Sequence, residues 1–111
     1  MKTIITYGSL KKGKWLHDDW MRGSKFIGEC KIEGFIMYSL GQYPAIKPSD
    51  ERYCIKAEIF EISDKLYEQL KHMEESAGYE TTQHTVDGIT GTLWVYRGTI
   101  EHAKIVQSGD W

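Results

Sequence analysis

Only one stretch of this sequence keeps helical periodicity beyond a single turn, and it lies between Ser63 and Gly78. At about 100° per residue, Met73, Leu66, Leu70 and Tyr67 fall in one arc of roughly 120°. Lys71, Glu75, Glu68, His72, Lys65 and Gln69 fill the other side. Ser63 is placed to cap the helix, Asp64 suits the positive end of its dipole, and Gly78 is a stop. The rest of the chain is mostly short β-prone runs broken by glycine. That balance fits an α+β domain, a small, irregular, mainly antiparallel β-barrel with flanking helices, better than a doubly wound α/β sheet.

The strands are read from alternation and turn residues. Lys2 to Tyr7 is a β-prone run that stops at Gly8-Ser9. Trp15 to Trp20 suits about one turn of helix, with Leu16 and Trp20 on one side, and Gly23-Ser24 breaks it. From Lys25 to Leu40 one long β-like stretch is expected, with bends at Gly28 and Gly34. Leu40 to Ala45 reads as a loop, and Pro48 to Arg52 as a polar one. Cys54 to Ile62 is another strand, with Ile55, Ala57 and Ile59 facing one way. Thr81 to Val86 and Gly91 to Tyr96 follow, joined at Asp87-Gly88. With 111 residues and no linker or repeat, the chain is a single domain spanning residues 1–111.

Two positions stand out chemically. Glu74 falls between Leu70 and Tyr67, inside the apolar arc, while Glu75 points away. A carboxylate on the buried side of a helix loses hydration and needs partners or a raised pKa. Helical geometry alone leaves the alternative that the helix end frays and Glu74 turns to solvent or caps nearby backbone. The other position is the opening turn, Tyr7-Gly8-Ser9-Leu10. A strand ending in Gly-Ser leaves backbone N–H groups without ladder partners, and Gly lets a ligand approach closely. Four residues of this kind equally suit an ordinary strand-to-loop turn.

Several function classes are disfavoured. Net charge is −2, which argues against nucleic acid as the main partner. The cluster Lys11, Lys12, Lys14 with Trp15 reads as a solvated loop. His17, His72, His84 and His102 are scattered without metal-ligand spacing, so no metal site is expected. Cys30 and Cys54 lie in strand-like runs as small core residues rather than a disulfide. No segment has the length to span a bilayer, and the start lacks a signal-peptide pattern, so the expected location is cytoplasmic.

In their order and spacing these landmarks resemble the γ-glutamylcyclotransferase-like family, which includes γ-glutamylamine cyclotransferases and the avirulence-induced plant proteins. Tyr7-Gly8-Ser9-Leu10 followed by Lys12-Gly13 resembles its N-terminal substrate loop. Gly41-Gln42-Tyr43-Pro44-Ala45 is similar to its Gly-x-Tyr-Pro-Ala segment, and Ala57 to Ser63 to its strand before the helix. Leu70-Lys71-His72-Met73-Glu74 resembles the helix that delivers the family's acid/base. Tyr79 matches the tyrosine that follows, and Ser108-Gly109-Asp110-Trp111 the common C-terminus. Three departures stand against this. Glu75 replaces a usual Gly, Lys71 replaces an Asp, and no Arg follows Tyr79. They touch the helix end and pocket wall, and so bear on substrate choice more than on fold.

The resemblance implies cyclisation of a γ-glutamyl group to 5-oxoproline with release of an amine or amino acid. Glu74 would be the general acid/base, and Tyr7, Gly8, Ser9, Leu10 and Tyr79 would bind substrate. No cofactor is implied. The partner would be a small γ-glutamyl substrate, not nucleic acid or membrane, and no oligomeric state is specified. Glu75 in place of Gly leaves room for a relative that keeps the pocket as a binding or regulatory protein without catalysis.

Overall fold

A computed structural model of the chain describes residues 1–51 and 53–111. Arg52, read above as part of a polar loop, lies outside the described residues. The elements run β1 (Lys2–Thr6), α1 (His17–Trp20), β2 (Lys25–Ile32), β3 (Phe35–Ser39), β4 (Pro44–Pro48) and β5 (Ile55–Ile62). They continue with α2 (Asp64–Ser76), β6 (Tyr79–Val86), β7 (Ile89–Tyr96) and β8 (Lys104–Ile105). Five strands form one sheet in the order β2-β5-β1-β7-β6, and three form another in the order β4-β3-β8. All pairings are antiparallel except that of β1 with β7. The expected class holds: α+β, mainly antiparallel and mostly β. The ladder does not close into a barrel, because the edge strands β2 and β6 approach each other without pairing.

The larger sheet is buried on both faces along its central strands, and neighbouring residues serve opposite cores. Ile5, Ile59, Leu93 and Val95 meet Met37 and Ile46 of the smaller sheet. Ile4, Phe60, Ile62 and Trp94 meet Tyr67 and Leu70 of α2. The molecule is therefore layered as helix, sheet and sheet. Burying a large aliphatic side chain such as Leu70 or Ile4 fully, as both are here, stabilises by about 1.5–3 kcal/mol.

The hairpin between β6 and β7 turns at Asp87 (φ 52°) and Gly88 (φ 77°), the left-handed pair that suits strand twist in a two-residue loop. The long β-like stretch from Lys25 to Leu40 is two strands, not one. The chain turns at Gly34 (φ 90°), so that β2 stays in the larger sheet and β3 enters the smaller. Pro44 and Ala45, read as loop, belong to β4. This strand tolerates proline at both ends because it lies at a sheet edge, where N–H donors are not all needed.

Two surface readings also change. Cys30 is buried as expected, whereas Cys54, just outside β5, is exposed; both are free thiols. Lys11 is not solvated: only 6% of it is exposed, and its Nζ donates to Asp110 Oδ1 at 2.8 Å. The neighbouring Lys12 N–H donates to Glu58 Oε1 at 2.8 Å, so the lysine turn is held on the sheet. Among the described residues no helix is long and apolar enough to cross a membrane.

Candidate active site

The length of α2 decides where Glu74 arrives. β5 runs antiparallel to β1, so its last residue, Ile62, lies beside Lys2. The helix begins there, capped by the Ser63 hydroxyl, which accepts from Leu66 N at 3.1 Å. It climbs back along β1, as two contacts at its start record. The Met1 amino group lies 3.5 Å from Asp64, and Lys2 Nζ lies 5.4 Å from the Tyr67 ring centroid. Asp64 to Glu74 spans about 15 Å at the helical rise. Lys2 to Tyr7 spans about 17 Å at the strand rise. Helix and strand thus end level, and Glu74 reaches the turn that follows β1.

There the two line one cavity of about 220 Å³. Its lining includes Tyr7, Gly8, Ser9 and Leu10 from the turn, Met73, Glu74 and Ala77 from the helix end, and Tyr79 and Trp94 from β6 and β7. All six residues singled out from sequence are in it. At that size it takes a small group rather than a drug-sized ligand, which fills about 300–1,000 Å³. Of the two geometries left open for Glu74, the structure has neither a fully buried nor a solvent-turned one: the residue is half-buried and lines the cavity wall. Burial pushes its carboxyl up from 4.5 to about 7. Glu75 is exposed and accepts from Thr81 Oγ1 at 3.0 Å, away from the cavity lining.

The tyrosines frame the carboxylate. Tyr7 OH donates to Trp94 O at 2.7 Å, and Tyr79 OH donates to Pro44 O at 2.6 Å. Burial raises both phenols, and the Glu74 charge raises them further, so neither competes to become an anion beside it. Tyr79 therefore braces the first residue of β4 with its hydroxyl, while it also lines the cavity. Ser9 Oγ donates to Gln42 O at 3.3 Å, tying the loop before β4 to the opening turn. Among the described residues the N–H groups of Ser9 and Leu10 donate to no backbone acceptor, whereas Lys11 N closes the turn on Gly8 O at 3.0 Å. Gly8 also meets a packing requirement. A Cβ there would lie 2.6 Å from Pro44 Cγ, so the glycine admits β4.

Leu16, Tyr43, Pro44 and Trp94 also line the cavity and were not singled out as site residues. Tyr43 and Pro44 lay in a segment recognised only for its resemblance. Leu16 and Trp94 carry no signal beyond apolar character.

Comparison with known proteins places this arrangement. The chain belongs to the AIG2-like gamma-glutamyl cyclotransferase family, whose family model matches residues 4–111. It is similar to protein PH0828 of Pyrococcus horikoshii, with 32% identity over 108 residues, covering 96% of this chain and 88% of the relative. It is also similar to the gamma-glutamylcyclotransferase family protein YtfP of Escherichia coli, 28% identical over 110 residues, covering 97% of this chain and 94% of the relative. The crystal structure of PH0828 superposes with a TM-score of 0.86 over 99% of this chain and 89% of the other, at 29% identity. An AIG2-like protein from mouse, 19% identical, shares the fold with a TM-score of 0.82 over 100% of this chain and 88% of the other.

Proposed function

We propose that the protein cyclises a γ-glutamyl group to 5-oxoproline and releases the attached amine, with Glu74 as general acid/base. The observation that carries this reading is the shared cavity, lined both by a carboxyl titrating near neutrality and by the turn after β1. The substrate's α-ammonium gives a proton to Glu74, and the freed amine attacks the γ-carbonyl carbon of the same molecule. A C–N bond forms to close the five-membered ring. The C–N bond to the leaving amine then breaks as Glu74 returns the proton to that nitrogen, and the regenerated carboxylate takes the second proton from the ring nitrogen and passes it to the released amine, which leaves as an ammonium. A carboxyl with a pKa near the working pH serves both transfers.

The backbone N–H groups of Ser9 and Leu10 are suited to the substrate carboxylate or to the oxyanion that develops on the carbonyl. Folding the glutamyl chain back on itself supplies much of the rate, since nucleophile and electrophile share one molecule. Family membership supports the reaction class. The outward turn of Glu75 supports catalysis over an inactive binding protein, because the residue that departs from the family pattern leaves the cavity open.

The test is release of 5-oxoproline from γ-glutamyl amides and dipeptides. The parent protein forms it, and Glu74→Gln keeps the fold and loses the activity by at least about a hundredfold, the low end for a general acid/base. Retained turnover in that variant would remove Glu74 from the mechanism.

A further inference from the structure

The cavity has a closed floor and an open rim of different character. Its floor is the buried run from Ile5 to Leu10 with Pro44, Tyr79 and Trp94. Its solvent-facing rim is Leu16, Tyr43, Met73 and Ala77, with Glu74 half-buried beside Met73. In the reaction proposed above, on which this inference rests, the glutamyl half needs the backbone donors and so occupies the floor. The departing half then lies over the rim.

We propose that the departing amine carries an uncharged apolar group, best an aromatic one, seated on Tyr43 and Trp15, and that Trp15 is a specificity-determining residue. Trp15 and Tyr43 are a tilted pair with ring centroids 5.5 Å apart. They are 54% and 41% exposed, so an open aromatic surface continues outward from the apolar rim. Trp15 Nε1 donates to Gln42 O at 3.3 Å, the same carbonyl that receives Ser9 Oγ, which orients the indole and couples it to the turn at the cavity floor. A third ring meeting this pair finds a fixed partner for offset or edge-to-face packing.

Charge points the same way. Among the described residues lining the cavity there is no lysine or arginine. Of the neighbouring lysines, Lys11 is paired with Asp110, Lys12 Nζ sits over the Phe26 ring at 3.5 Å, and the charge of Lys14, next to Trp15, acts on Asp110 without a close ion pair. An amino acid as leaving group would bring a carboxylate to an apolar rim beside Glu74, losing hydration without gaining a cation. An ammonium-bearing tail would lose hydration as well, for a cation–π attraction that is weak at this exposure.

The experiment compares γ-glutamyl benzylamide, ethylamide, aminobutylamide and γ-glutamylalanine, with 5-oxoproline as the readout. The benzylamide is expected to have the highest kcat/KM, with a benzylamide-to-ethylamide ratio that falls about tenfold in Trp15→Ala and is largely kept in Trp15→Phe. Best turnover of the cationic or the anionic substrate overturns the inference, as does an unchanged ratio in Trp15→Ala, while the cyclisation itself stands. Absence of 5-oxoproline from all four substrates overturns the cyclisation reading, and this inference with it.

Discussion

Glu74 couples the proposed chemistry to stability, because burial raises its carboxyl from 4.5 to about 7. A folded value above the unfolded one means that the native chain holds the proton over the interval between them. Stability is therefore full below about pH 4.5 and falls as the pH rises through about 7, by up to about 3 kcal/mol. Glu74→Gln removes the half-buried charge without changing size. Urea titrations are expected to find this variant more stable than the parent by about 1–3 kcal/mol at pH 8, with the two converging at pH 4. Equal stability of variant and parent at pH 8 would mean that the ionised carboxylate is well solvated. In the parent, kcat/KM should rise with pH through about 7, because the base must be ionised to accept the first proton.

At the scale of elements, the site depends on β4 entering beside the opening turn, which Gly8 permits. In Gly8→Ala the new methyl meets Pro44 Cγ at 2.6 Å, and neither group is the flexible end of a long side chain. Thermal or urea unfolding should record a loss of about 1–3 kcal/mol. Pro44→Ala in the same chain should restore part of it, the non-additivity expected of residues in contact. Strands β1, β5, β6 and β7 were legible in the sequence because alternation and turn residues mark them. β4 was not, since Pro44 and Pro48 are loop punctuation to any local reading, and only its place at a sheet edge makes them acceptable. β8 has two residues and no periodicity to read. Glu74 was legible because an acidic residue in an apolar arc breaks a regular pattern. Tyr43, Leu16 and Trp94 break none, and reach the cavity only through tertiary packing.

At the scale of the whole molecule, the C-terminal tail binds the two sheets to each other and to the opening turn. Val106 N donates to Met37 O of β3 at 2.8 Å, and Tyr53 OH donates to Val106 O. Three residues on, Gly109 O accepts from Lys56 N of β5 at 2.8 Å. A side chain at Gly109 would collide with the Cys54 carbonyl, so the tail lies flat on the strand. Asp110 then reaches Lys11, directly after the residues that line the cavity floor. The lysine is buried and the aspartate is 45% exposed, so removing the carboxylate leaves the costlier partner unpaired in the interior. Asp110→Asn should therefore lower stability at pH 7 by about 1–3 kcal/mol in urea titrations. The hydrogen bond from Lys11, and then its charge, hold the Asp110 carboxyl below its usual range. A lowered folded value gives stability that is present above the unfolded value and is lost as the pH falls through the folded one. The gap between parent and Asp110→Asn should accordingly shrink in acid, as it does for Glu74→Gln, but from the opposite side: here the parent is the more stable chain at neutral pH, there the variant is. A gap that persists unchanged at acid pH would assign the loss to the tail's packing rather than to its charge.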